Sequence, residues 1–100
     1  MEISTAQEGN SCVVSLKGDL DVSSSETVET TLTELIGRVA VVVVDLSAVP
    51  FADSSGLGGL IAAYKKAQAQ GKEIRLRKPT PIVSEILTIT RMKRFFPVEE

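Results

Sequence analysis

VAVVVVDLSAVPFADSSGLGG, residues 39–59, carries a strand, a turn and a helix start in one short stretch. The unbroken apolar run Val39–Val44, ending at Asp45, predicts a strand covered on both faces, because a strand wetted on one face would alternate. The chain turns after Pro50, and a helical pattern begins at Ser54. Leu57, Leu60, Ile61 and Tyr64 fall at i, i+3, i+4 and i+7, one face of a helix. Asp53, Ser54 and Ser55 therefore lie where a loop from a buried strand meets a helix N-terminus. The first amide N–H groups of a helix have no internal partner and its dipole is positive there, so the position suits an anion. Two hydroxyls at such a place point to a phosphoacceptor, with Ser54 also expected to cap the helix. Spacing alone leaves Ser54 and Ser55 as alternatives, since both lie in the first turn.

On the N-terminal side, Ile3 and its neighbours predict a short edge strand, Gly9-Asn10 a turn, and Ser11–Lys17 (SCVVSLK) a second strand ended by Gly18. The segment GDLD, Gly18–Asp21, leads into a first helix. Ser23 and Glu26 have capping-box spacing, Val28, Leu32, Leu35 and Ile36 form the apolar face, and Gly37 fits the C-terminus. Asp19 and Asp21 read as solvated loop acids or an N-cap, although the end of a strand also suits a contact surface.

On the C-terminal side, the helix from Ser54 runs to about Gln70 and stops at Gly71. Lys72–Leu76 predicts a strand with Ile74 and Leu76 inward and Arg75 and Arg77 outward. Thr80-Pro81 has the N-cap and N1 residues of a third helix, with Ile82, Val83, Ile86 and Leu87 as its buried face. Arg91–Arg94 reads as a turn and Phe95–Val98 as a last short strand or a docking tail. Strands alternating with helices over 100 residues predict one α/β domain, residues 1–100, with a small mixed, largely parallel sheet and three to four helices.

Composition narrows the chemistry. There is no histidine and a single cysteine, Cys12, so thiolate zinc sites, His-based triads and an internal disulfide are all excluded, and no metal or other cofactor is expected. Cys12 sits among Val13, Val14 and Leu16 and reads as a buried, inert thiol. The N-terminus lacks the apolar core of a signal peptide and Val39–Val44 is too short to span a bilayer, which predicts a soluble, cytoplasmic protein without membrane partners. The net charge of −2 hides an asymmetry: residues 1–60 carry nine acids against Lys17 and Arg38, and residues 61–100 carry nine bases against four acids. The bases are spread over several elements, so we read a polarised surface that orients a partner and expect no direct nucleic-acid binding.

Gly56, Gly58 and Gly59 each cost up to about 1 kcal/mol inside a helix. Close packing accounts for at least one, and three together favour approach by another molecule. A Walker loop would place Lys and Ser/Thr after the last glycine, where Leu60-Ile61 stand, and a dinucleotide fingerprint would need glycine at Ile61. A receiver domain phosphorylated on Asp45 or Asp53 would want an acidic pair after its first strand and a lysine after its last, and the chain is short for one. A phosphorylated serine fits better. The mark adds about −1.5 to −2 charges at a position the helix tolerates, beside Asp53.

GDLD (18–21), VVDLSAVPFADSSGLGGLIAAYKKA (43–67) and KPTPIVSEILTITRMKRFFPV (78–98) together resemble a STAS domain, and more narrowly the stand-alone bacterial anti-sigma factor antagonists. The likeness covers nearly the whole chain, with Asp-Ser-Ser-Gly-Leu-Gly as its specific core. It implies a non-enzymatic switch. A serine-kinase anti-sigma factor would bind only the unphosphorylated antagonist and would phosphorylate Ser54, and a PP2C-type phosphatase would reset it. By the same resemblance Asp21, Asp53, Ser55 and Gly56 would lie on the kinase-binding surface. The alternative it leaves is a STAS subunit held permanently in a larger assembly, with Ser54 only a cap. Two positions depart from the pattern: Lys78 and Arg91 stand near places where relatives often carry glycine.

Overall fold

EIRLR alternates in burial, the signature of a strand with one face against a core, while SCVVSLK buries Cys12, Val13 and Val14 in succession. The SCVVSLK strand forms as expected, and the EIRLR strand forms one residue later than the expected Lys72–Leu76. In the computed structural model, which describes residues 1–100, the order is β1 (Glu2–Glu8), β2 (Ser11–Lys17), α1 (Val22–Ile36), β3 (Val41–Ala48), α2 (Ser54–Ala69), β4 (Glu73–Arg77), α3 (Pro81–Ile89), a 3-10 turn (Met92–Arg94) and β5 (Val98–Glu99). The five-stranded sheet has the sequential order β1-β2-β3-β4-β5. The β1–β2 hairpin is antiparallel, and β2, β3, β4 and β5 run parallel. Of the expected Phe95–Val98 strand only Val98 lies in β5 (Val98–Glu99), while Phe96 ahead of it is buried in the core.

Sequential parallel strands joined by right-handed crossovers put every helix on the same side of the sheet. The core shows this directly. Val14 and Leu16 of β2, Val42, Val44 and Leu46 of β3, and Ile74 and Leu76 of β4 pack with Val28, Leu32 and Ile36 of α1, Leu57, Leu60 and Ala63 of α2, and Val83 and Leu87 of α3. Val13 and Val43 point the other way, outside this cluster, yet are only 6% and 4% exposed. The central strand is therefore covered on both faces, as its unbroken apolar run implies, with helices on one face only. The outer face is covered by charged arms: Arg77 of β4 pairs with Glu99 of β5 at 3.2 Å and reaches Glu8 of β1 at 3.6 Å across the two strands between. Arg75, in register with Val43, pairs with Glu73 at 3.2 Å and Glu99 at 3.5 Å. Aliphatic stems of such side chains shield apolar surface while their heads stay wet.

Several boundaries shift for identifiable reasons. The central strand was expected over Val39–Val44 and forms over Val41–Ala48, because Val39 N–H is taken by the end of α1 at Leu35 O, 3.1 Å away. Ile82, expected inward, is 57% exposed, while Val83 and Leu87 of the same expected face are buried. Gly71 takes a positive φ of 68° just past α2, as a C′ glycine should. Lys78 (φ 50°) and Arg91 (φ 61°) also adopt left-handed backbone, which explains why glycine suits these two positions.

Candidate functional site

Parallel strands deliver all three helix N-termini to one edge of the sheet, the edge outside the strand C-termini where α/β folds place their ligands and partners. At α1 the cap is Asp21, in extended conformation, and it forms a capping box with Ser24. Asp21 Oδ1 accepts from Ser23 N–H at 2.9 Å and Ser23 O–H at 2.6 Å, while Asp21 N–H donates to Ser24 Oγ at 3.1 Å. The expected Ser23–Glu26 box does not form. Ser24 is buried and its hydroxyl also donates to Asp19 O at 2.9 Å, so the box is locked two residues earlier by contacts a spacing rule does not include. The Ser23 hydroxyl and amide hold the Asp21 carboxyl below its ordinary value of 3.8.

At α2 the cap is Asp53, whose backbone is extended (φ −121°, ψ 178°) and whose Oδ1 accepts from Gly56 N–H at 2.9 Å. This corrects the expectation that Ser54 caps the helix. Ser54 is already the first helical residue, so its hydroxyl is free of the capping task and makes no hydrogen bond to the protein. Ser54 and Ser55 are both exposed. Thr80 caps α3 as expected, accepting from Val83 N–H at 3.3 Å, with Pro81 following it.

The loop that carries Asp53 and Ser54 is held from both sides. Leu20 N–H donates to Phe51 O at 2.9 Å and Asp53 N–H donates to Leu20 O at 3.1 Å, a parallel bridge that sets Asp21 alongside Asp53. Thr80 O–H donates to Val49 O at 3.2 Å from the α3 side. The structure therefore brings Asp21, Asp53, Ser54 and Ser55 together on one edge. Neither Asp21 nor Asp53 takes part in an ion pair. No group of three or more His, Cys, Asp and Glu side chains is placed to hold a metal.

Gly56 lies beneath this surface. A Cβ there would run into Leu20 O and Asp21 N, and one on Gly59 would run into Ser25 O, so both glycines let α2 pack against the start of α1. Packing, expected to account for at least one of the three glycines, accounts for two, and only Gly58 faces open space.

The family-level comparison settles the class. A STAS domain profile matches residues 2–100. The chain belongs to the STAS domain family. This STAS domain is 31% identical over 88 residues to the anti-sigma F factor antagonist of Paenibacillus polymyxa, spanning 86% of this chain and 75% of that one. It is 26% identical over 93 residues to the anti-sigma-B factor antagonist of Bacillus subtilis (strain 168), spanning 93% and 85%. Its fold matches the anti-sigma factor antagonist SpoIIAA in its unphosphorylated form, with a TM-score of 0.80 at 19% identity over 99% of this chain and 89% of that one. SpoIIAA in its phosphorylated form matches with a TM-score of 0.73 at 19% identity over 99% and 92%.

Of the exposed apolar side chains on this edge, the sequence pattern assigned Val22 and Phe51 no role and placed Ile82 in the core. Val22 at the start of α1, Phe51 in the loop before Ser54 and Ile82 in the first turn of α3 are 77%, 45% and 57% exposed. The one available signal was Phe51, an aromatic between Pro50 and Ala52 that belongs to neither the strand nor the helix period.

Proposed function

We propose that this STAS domain is an anti-sigma factor antagonist: unphosphorylated, it binds a serine-kinase anti-sigma factor in the cytoplasm and so frees a sigma factor, and phosphate on Ser54 ends the binding. The observation that carries this reading is the state of Ser54. It is an exposed hydroxyl on the first helical residue of α2, relieved of capping by Asp53 and held in a loop braced by Leu20 and Thr80. Such a hydroxyl can be modified without loss of a native hydrogen bond. The relatives named as antagonists of anti-sigma F and anti-sigma-B factors support the choice of partner.

The switch would act through charge at the interface. A phosphate on Ser54 meets helix N–H groups but neither acid beside it is neutralised by a cation, so the dianion stays on the surface that a partner must cover. Covering it means desolvating it next to Asp53, and a loss of ~3 kcal/mol would weaken binding about a hundredfold. Asp21, Asp53 and Ser55 would lie within the kinase footprint, and Gly56 would shape it from below. A PP2C-type phosphatase would remove the mark.

The test is phosphotransfer from ATP by an anti-sigma kinase of the same genome, read by intact mass. A single phosphate that disappears in Ser54→Ala and persists in Ser55→Ala supports the assignment. Phosphate that persists in Ser54→Ala contradicts it.

A further inference from the structure

Gly58 is the one glycine of α2 whose missing side chain the fold does not use. A Cβ at Gly56 or Gly59 would collide with α1, whereas one at Gly58 has no atom within 4 Å. The residue is exposed, sits inside the helix and needs no left-handed backbone, so alanine would fit there and would strengthen the helix. A weakness in the helix with no internal return directs attention outward.

Ser54 fixes what lies outward. Residues i and i+4 stack on one helix face, so Gly58 lies just over one turn, about 6 Å, along the axis from Ser54. A protein that reaches the Ser54 hydroxyl covers a patch of about 800 Å², roughly 16 Å in radius, and Gly58 falls inside it. Phe51, three residues before Ser54 and 45% exposed, falls inside it as well. So does Val22, 77% exposed and next to Asp21, because the Leu20–Ala52 bridge sets the two segments side by side. Aromatic and aliphatic side chains left bare around such a spot are what protein partners bury at the centre of an interface.

We infer that Gly58 is a contact seat: the anti-sigma factor lays an apolar segment directly on the bare α2 backbone there, between Ser54 and Ala62, with Phe51 as the adjacent anchor. The inference rests on the reading of Ser54 as that partner's target. A methyl group at this seat holds the two surfaces apart, and shape-matched contacts do not tolerate that intrusion. Gly58→Ala should therefore separate stability from function, improving the first and impairing the second.

The experiment measures thermal unfolding and anti-sigma factor affinity for Gly58→Ala and Phe51→Ala, beside the wild type with and without phosphate on Ser54. Gly58→Ala should melt about 3–6 °C higher than the wild type. Unphosphorylated, it should bind at least about tenfold more weakly, and Phe51→Ala should lose a similar factor. Wild-type affinity in Gly58→Ala, with the wild type still losing its partner on phosphorylation, overturns the seat and leaves the Ser54 reading standing. Equal wild-type affinity in both phosphorylation states overturns the Ser54 reading and the footprint drawn from it.

Discussion

At the scale of single residues, the division of labour between Asp53 and Ser54 matters most. Asp53 does the capping and Ser54 has a free hydroxyl, so one loop position stabilises the helix and the next is available for modification. Asp53→Ala should lower stability by about 1 kcal/mol through loss of the cap, whereas Ser54→Ala should stay within about 0.5 kcal/mol of the wild type. Urea titration of the two variants checks the contrast. Lys78 and Arg91 supply a second residue-scale prediction. Both are held at positive φ, where a Cβ is strained, so Lys78→Gly and Arg91→Gly should each stabilise the protein by about 0.5–1 kcal/mol, seen as higher melting temperatures.

At the scale of elements, the helix starts and the α1–α2 contact carry the site. The Asp21 carboxyl is depressed by the Ser23 hydroxyl and amide. Burial alone would raise the Asp45 carboxyl, but the Ser47 hydroxyl and amide at 2.6 and 2.8 Å outweigh it, aided by Lys78 and Arg77. A group depressed in the folded state contributes stability that is complete above its unfolded value and is lost as pH falls through the folded value. Stability should thus fall below the ordinary value of 3.8, and Asp21→Asn, which keeps a cap but no titrating charge, should flatten that fall in melts between about pH 5 and pH 2. Gly56→Ala forces a Cβ into the Leu20 carbonyl and should cost about 2 kcal/mol or more, read as a lower urea midpoint. How much was legible in the sequence follows the same line. The helix faces of α1 and α2, the strands β2 and β4 and the Thr80-Pro81 start are local patterns, and they form where the residues place them. The cap at Asp21 is local and was one of the two readings its sequence allowed, whereas the role of Gly56 and Gly59 depends on packing against α1, a contact between distant segments.

At the scale of the whole molecule, a one-sided sheet gives the protein two unlike surfaces. The helix layer holds the apolar core, and the opposite face is covered by the arms of Arg75 and Arg77 paired with Glu8, Glu73 and Glu99. The run Val41–Val44 looks the same in sequence whether a helix or a pair of arginines covers its outer face, so only the assembled sheet distinguishes them. The same topology gathers the starts of α1, α2 and α3 at one edge, which Ser54 shares with the negative caps Asp21 and Asp53 and the bare Val22, Phe51 and Ile82. The site is thus a surface assembled by topology, and on the proposed function Ser54 is the point at which phosphate would alter it. The most direct test is the affinity of the anti-sigma factor for the purified chain before and after stoichiometric phosphorylation of Ser54. A loss of about a hundredfold or more, restored by phosphatase treatment, is the predicted result. Tight binding that phosphate on Ser54 leaves unchanged would contradict the account and make the domain a permanent subunit.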